Sequence, residues 1–385
     1  MKKIGISAFA IILACAAFAL TGCSSVARRF DMMGYFGTYS YVVVGNYNAV
    51  SDAADKAAEE TEKLLSDVEK AIGSVEGSDV VRFNAADAGE RMEVSRITYE
   101  VLSIAEEMYE KTEGHYNPAV GNLVDLWGFT PRFNETDYEP TEPYDRETAS
   151  VPDEEYITAF SDEDILDFGA VELSEIGGKY YVTKPSATVT AGGKTYTMNI
   201  DLGGIGKGYA ADRCVEILAG YGLYKSYVSI GTSSICLAES AESAKGAPEK
   251  NMYEVALRHP RGSGEYLSVY AKNAAGSTSG DYERFFIQDG VRYSHLIDPF
   301  DGRPTDSGFV TGTVFGKSAA EGDALTTALA VTDKNAALTA ASRSGYKYAM
   351  LYAENGGYTL YTNMAVNEYV LHDDGIEVVE ELSID

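Results

Sequence analysis

Polar and apolar positions change period several times along the chain, and each change marks an element. Tyr35 to Val44, rich in aromatic and β-branched residues, reads as a first strand. Ala53 to Ile72 carries alanines, leucines and charges in amphipathic order and predicts a helix. Arg96 to Glu113 predicts a second, closed by Gly114. Short strands follow near Ala170 to Leu173 and Tyr180 to Thr183. Tyr196, Met198 and Ile200 then alternate with Thr197 and Asn199, a period of two that predicts a strand ending at Asp201. Gly203, Gly204, Gly206 and Gly208 interrupt it, and Tyr209, Ala210, Val215, Ile217 and Leu218 resume at helical spacing. Further strands are expected at Tyr227–Ile230, Ile235–Leu237, Tyr253–Arg258 and Leu267–Ala271. Arg284–Gln288 and Arg292–Ile297 read as a hairpin turning at Asp289-Gly290. A mostly antiparallel sheet with helices on one side, an α+β fold in one large domain of one or two lobes, is the simplest assembly.

The strand, glycine turn and helix around Thr197–Cys214 are the first place to look for chemistry. Such a turn lets a ligand approach backbone N–H groups, and the helix behind it offers a dipole end that attracts phosphate. Lys207 adds a full charge. The spacing fits neither a P-loop nor GxGxxG, and a tight connection without a ligand is the plain alternative. Asp323 and Thr327, four apart in AAEGDALTTAL, project from one helix face and offer hard oxygen, which suits Mg²⁺. The plain alternative is an Asp N-cap with Thr in the first turn. His115, Tyr116 and Asn117 either line an aromatic pocket or form an ordinary turn before Pro118. His295 reads as a general base or as a hydrogen-bonded core histidine.

Composition narrows the picture. A formal net charge of −28 argues against a nucleic-acid or anionic-membrane surface and requires any anionic ligand to meet a local exception, for which Lys207, Arg284 and Arg303 are candidates. Lys2 and Lys3, an apolar run from Ile4 to Leu20 and then Leu20-Thr21-Gly22-Cys23 form an export signal that resembles a bacterial lipobox. The resemblance implies a signal peptide over 1–22, a lipid on Cys23, a tether over 23–32 and a domain over 33–380 outside the cytoplasmic membrane. The acidic, proline-rich 130–153 stretch reads as a surface insertion. Of the four cysteines only Cys214 and Cys236 belong to the folded part, and two buried thiols are expected rather than a disulfide or a zinc site.

Several separated motifs, in order, then carry a family resemblance. NPAVGNLVDLWGF, MNIDLGGIGKGYAAD, SGDYERFF, YSHLIDPFDGRP and AAEGDALTTAL, behind a lipobox, look like the bacterial FAD:protein FMN transferases of the ApbE type. The resemblance implies a T-fold-like α+β domain that moves FMN from FAD to a Thr or Ser hydroxyl of an exported protein, releasing AMP with Mg²⁺. It puts metal ligands at Gly204, through its carbonyl, and at Asp323 and Thr327. It puts flavin-nucleotide contacts at Phe36, His115, Tyr116, Asn117, Asp201, Lys207 and Ile297. Phe36 stands where many relatives carry Met, Asn117 where Asp is usual, and Gly231-Thr232-Ser233 replaces a glycine pair. An FAD pyrophosphatase, and a non-catalytic flavin-binding lipoprotein, are the alternative readings.

Overall fold

The computed structural model describes residues 27–45, 52–130, 150–238 and 246–380. The export signal, Cys23 and residues 131–149 of the acidic insertion lie outside the described residues.

A nine-stranded sheet organises the fold. Its strands, Ala27–Met33, Tyr39–Gly45, Ser226–Ile230, Ser234–Leu237, Ala274–Gly280, Phe309–Gly316, Lys347–Glu354, Gly357–Thr362 and Ile376–Glu380, follow one another across the sheet in chain order. Neighbours are antiparallel except the last pair. The Ala27–Met33 strand pairs along its whole length with Tyr39–Gly45, so most of the expected tether is sheet. The strand expected from Tyr35 begins only at Tyr39. Gly34, Phe36 and Gly37 have φ of 90°, 55° and 61°, left-handed values that a pleated strand does not admit.

Alternation divides the sheet between two cores. Tyr348, Met350 and Tyr352 face the helices, whereas Ala349 and Leu351 face a three-stranded sheet of Tyr253–Arg258, Glu265–Ala271 and Tyr369–Leu371. In Phe309–Gly316 the parity reverses, Phe309 and Val314 on one side and Val310 and Phe315 on the other, because the register shifts between Phe309 and Thr311. The helices thus lie on one face of the large sheet, as expected.

Those helices are α1 (Ala53–Ile72), α2 (Asp79–Ala85), α3 (Arg96–Lys111), α4 (Gly121–Leu126), α5 (Glu154–Phe160), α6 (Glu163–Leu166), α7 (Gly206–Gly220), α8 (Ala319–Val331) and α9 (Lys334–Arg343). In α1, Ala54, Ala57, Ala58, Thr61, Leu65, Val68, Ala71 and Ile72 are buried, the stripe that a 3.6-residue period requires. The central α8 differs, since every residue but Glu321 and Thr327 is buried. Among the described residues no helix is long and apolar enough to cross a membrane. Cys214 and Cys236 are free and buried, and burial pushes both thiol pKa values up.

Candidate active site

The loop before α7 is held by side chains rather than by a sheet. Regular strand ends at Thr197, short of the expected Asp201, and beyond it only Asn199 makes a bridge, to Val120. Asn84 replaces the missing ladder, its Oδ1 accepting from Ile200 N (2.8 Å) and its Nδ2 donating to Ile200 O (3.0 Å). Asn122 donates to Thr197 O and Asp201 N donates to Pro118 O, both at 2.8 Å. Met198, Ile200, Leu202 and Ile205 are buried, which anchors the loop from below. Above them Asp201 Oδ1 accepts from Gly203 N at 2.8 Å and closes the turn.

α7 and α8 then meet at their N-terminal halves. A Cβ on Gly208 would stand 2.2 Å from Ala319 O, so only glycine permits this approach. Gly208 N donates to Asp323 Oδ2 at 2.7 Å. Ser234 Oγ donates to the same carboxylate, 2.8 Å from Oδ1 and 3.1 Å from Oδ2. Asp323 is buried, and burial raises its pKa, partly offset by the Lys207 charge and by the Ser234, Ser277 and Gly208 donors. It is not the helix cap, because Ser318 Oγ accepts from Glu321 N at 3.2 Å one turn earlier. Thr327, one turn on, is partly exposed and donates to Asp323 O at 2.9 Å. A Cβ on Gly204 would lie 3.1 Å from Thr327 Oγ1, so the glycine turn and the α8 face are in contact.

These donors suit a hard cation. A carboxylate offers about four lone-pair sites, and the donors on Asp323 leave capacity for an ion where the Gly204 turn meets the Thr327 hydroxyl. Mg²⁺ takes few protein ligands and keeps water or phosphate oxygens for the rest. Among the described residues no group of three or more His, Cys, Asp or Glu side chains offers a competing site. The buried Tyr116 hydroxyl has no partner among the described residues, and burial with the nearby Asp201 and Asp323 charges holds its pKa well above that of a free phenol.

The rest of the constellation arrives from three directions. α3 ends in a left-handed turn, Glu113 at φ 53° and Gly114 at φ 83°, which delivers His115 and Tyr116. His115 Nδ1 is buried without a partner among the described residues, its ring meets Phe300 edge-on at 4.8 Å, and burial lowers its pKa against the pull of Asp298. Asn117 uses both its polar atoms within the protein, donating to Leu166 O at 2.8 Å and accepting from Ala119 N at 2.9 Å. Trp127, stacked on Tyr293, donates to Gly302 O at 2.8 Å and ties NPAVGNLVDLWGF to YSHLIDPFDGRP. Just before that second motif the Asp289-Gly290 turn of the Phe285–Ser294 hairpin has both φ positive, 53° and 80°, as a two-residue hairpin requires. Its second strand ends at Ser294, short of the expected Ile297, which pairs instead with Pro304. His295 N donates to Arg284 O at 3.0 Å and its Nδ1 lies 3.2 Å from the same oxygen, leaving Nε2 open. Burial and the Arg284 and Lys207 charges lower its pKa to about 3.

Phe36 N donates to Glu69 Oε1 of α1 at 2.9 Å, a contact outside the Gly204–Asp323 cluster. Ile297 is buried. Lys207 contacts Gly203 O at 3.4 Å and flanks Gly231, whose Cβ would meet Lys207 Cδ at 3.1 Å. Of the three cations named as exceptions to the acidic charge, Arg303 is engaged by Glu154 and Arg284 turns toward Phe129 O, so Lys207 is the one whose charge acts on Asp323. Asn84, Ser234 and Asp212 were missed from sequence. Only Asp212 had a signal, as the last residue of the GKGYAAD motif.

A family model described as the ApbE family matches residues 33–351. The chain belongs to the ApbE family. It is 30% identical over 279 residues to the FAD:protein FMN transferase of Treponema pallidum, covering 71% of this chain and 70% of that protein. The corresponding protein of Vibrio cholerae is 27% identical over 358 residues, 91% of this chain and 96% of that one. Among solved structures, the flavin transferase ApbE from Vibrio cholerae matches with a TM-score of 0.67 at 27% identity, covering 88% of this chain and 97% of its own. The ApbE protein from Thermotoga maritima matches with a TM-score of 0.67 at 27% identity, covering 87% and 96%. This ApbE member shares their α+β architecture of mostly antiparallel sheets.

Proposed function

We propose that this ApbE-family enzyme transfers the FMN moiety of FAD to a Thr or Ser hydroxyl of an exported acceptor protein, releasing AMP, with Mg²⁺ held by the Gly204 carbonyl, Asp323 and Thr327. The observation that carries the reading is the contact between the Gly204 turn and the Asp323–Thr327 face of α8, under the N-terminus of α7. When bound there, Mg²⁺ supplies positive charge to the diphosphate oxygens.

The chain's own groups do the rest. Lys207 and the Gly204 N–H neutralise phosphate charge, the Gly203, Ile205 and Gly206 N–H groups being engaged within the turn, while His115, Tyr116 and the Phe36 turn hold the nucleotide. The acceptor hydroxyl attacks the phosphorus of the FMN half, a new P–O ester forms, and the bond to the bridging oxygen breaks so that this oxygen leaves with AMP. His295 Nε2 is the candidate acceptor for the hydroxyl proton. With a pKa of about 3 in the ligand-free site it is neutral but weakly basic. Diphosphate charge beside Lys207 and Arg284 offsets the cations that depress it and raises its proton affinity when substrate is present.

Incubating the protein with FAD, Mg²⁺ and a candidate acceptor tests this. Covalent flavin on the acceptor supports transfer, free FMN alone identifies a pyrophosphatase, and retained intact FAD identifies a binding protein. The lipobox supports an extracytoplasmic, lipid-anchored location, and Cys23→Ser would then release the protein from the membrane fraction.

A further inference from the structure

We infer that Asp212 is a positioning residue for this site, setting the α7–α8 register on which the metal ligands depend; the inference rests on the Mg²⁺ reading above. Asp212 lies on α7, but its carboxylate serves α8. Oδ1 accepts from Ala319 N at 2.8 Å, and Oδ2 accepts from Ala320 N at 3.0 Å and from Ser318 Oγ at 2.8 Å. The Cys236 thiol donates to Oδ1 at 3.3 Å, so strand, helix and helix converge on one carboxylate.

The orphan donors of α8 explain why this matters. A helix start leaves its first N–H groups without intrahelical partners. Ser318 Oγ takes only Glu321 N, and Gly322 N already donates to Ser318 O, so Ala319 and Ala320 depend on Asp212. The return contact runs the opposite way, from Gly208 N of α7 to the Asp323 carboxylate of α8 at 2.7 Å. Two reciprocal contacts thus fix both sliding and rotation of α8 against α7. Asp323 follows Ala319 by one helical turn, and Thr327 follows by another. Gly204 comes from the segment that enters α7. An ion held by Gly204, Asp323 and Thr327 would depend on both elements, so its affinity would report their register.

Mg²⁺ alone is titrated into the purified wild-type protein and Asp212→Asn while the melting temperature is followed, and AMP release from FAD is measured over the same range. The amide keeps the shape but turns one acceptor into a donor facing α8 N–H groups. The half-saturating Mg²⁺ concentration is expected to rise about tenfold in both readouts, as for residues that orient metal ligands. Saturating Mg²⁺ restores most of the AMP release, and KM for FAD then stays near the wild-type value. A purely structural cap would lower the melting temperature without moving the Mg²⁺ midpoint. If Asp212→Asn does not fold, Ser318→Ala is read instead, with a rise of several-fold expected. A wild-type Mg²⁺ midpoint in the folded variant overturns the proposal. A wild-type melting temperature indifferent to Mg²⁺ refutes the metal reading first, and this proposal with it.

Discussion

Gly208→Ala sets two effects of opposite sign against each other. Helix propensity alone favours alanine by about 1 kcal/mol. Packing opposes it, since the new Cβ would sit 2.2 Å from Ala319 O, 2.4 Å from Ala319 C and 2.6 Å from Ala320 N, all backbone atoms that no rotamer can clear. α7 and α8 must part by about an ångström, an overpacking strain worth about 1–3 kcal/mol. The same displacement stretches the bond from Gly208 N to the buried Asp323 carboxylate, worth about 1.5–3 kcal/mol for a charged acceptor. The net expectation is a loss of about 2–5 kcal/mol, a large part of the roughly 5–15 kcal/mol that holds a domain folded. Urea melts in the absence of Mg²⁺ measure it directly. Transfer from FAD should fall about a hundredfold in whatever fraction remains folded, because an ångström separates Gly204 from its α8 partners. Gly204→Ala is the control of opposite expectation. Its Cβ would meet side-chain atoms alone, the Thr327 hydroxyl at 3.1 Å, Tyr116 Cε2 at 3.3 Å and Thr327 Cγ2 at 3.6 Å among the nearest, and the backbone carbonyl is kept. It should lose no more than about 1 kcal/mol. A Gly208→Ala protein as stable as wild type would refute the reasoning.

Other outcomes follow from the same geometry. Asp323→Asn should abolish Mg²⁺-dependent transfer and the Mg²⁺-induced rise in melting temperature while leaving the metal-free protein as stable as wild type at neutral pH, or more so. Since burial raises the Asp323 pKa, its carboxyl favours folding when protonated and that contribution is lost as pH rises through the raised folded value. Melts of metal-free protein from acid to neutral pH should show this dependence in wild type and not in the variant. For His295, a pKa of about 3 predicts that kcat/KM for FAD shows no histidine inflection between pH 5 and 8, and that His295→Gln lowers kcat about a hundredfold with KM little changed. An unchanged kcat would remove the base role. Lys184 is 1% exposed and donates to Phe83 O at 2.9 Å and to Asn84 O and Ala86 O at 3.1 Å. Lys184→Met should cost about 2–4 kcal/mol in denaturant melts, because three carbonyls at the end of α2 lose their donor.

The helices were the most legible part of the fold. The bounds of α1 are legible because buried residues recur three or four apart along one face from Ala54 to Ile72. The strands near the site were misjudged at their ends. Tyr196 to Ile200 has a strand's period, but from Thr197 O onward its partners are the Asn122 and Asn84 side chains and residues 118–121, none of which a period reveals. His295 likewise falls one residue past a strand end, where pairing with Arg284 O survives but the ladder does not.

The chain by itself determined which chemistry was available: a glycine turn with one lysine, an Asp and a Thr one helical turn apart, and no cluster of soft metal ligands. Residue type and short-range spacing suffice for that, because they set backbone freedom and donor identity locally. Only the tertiary structure decided that Gly204 touches Thr327, that Gly208 donates to Asp323 and that Asp212 takes up the first N–H groups of α8. Those contacts join residues more than a hundred positions apart through the packing of two helices on one sheet, and nothing in the local sequence specifies their register.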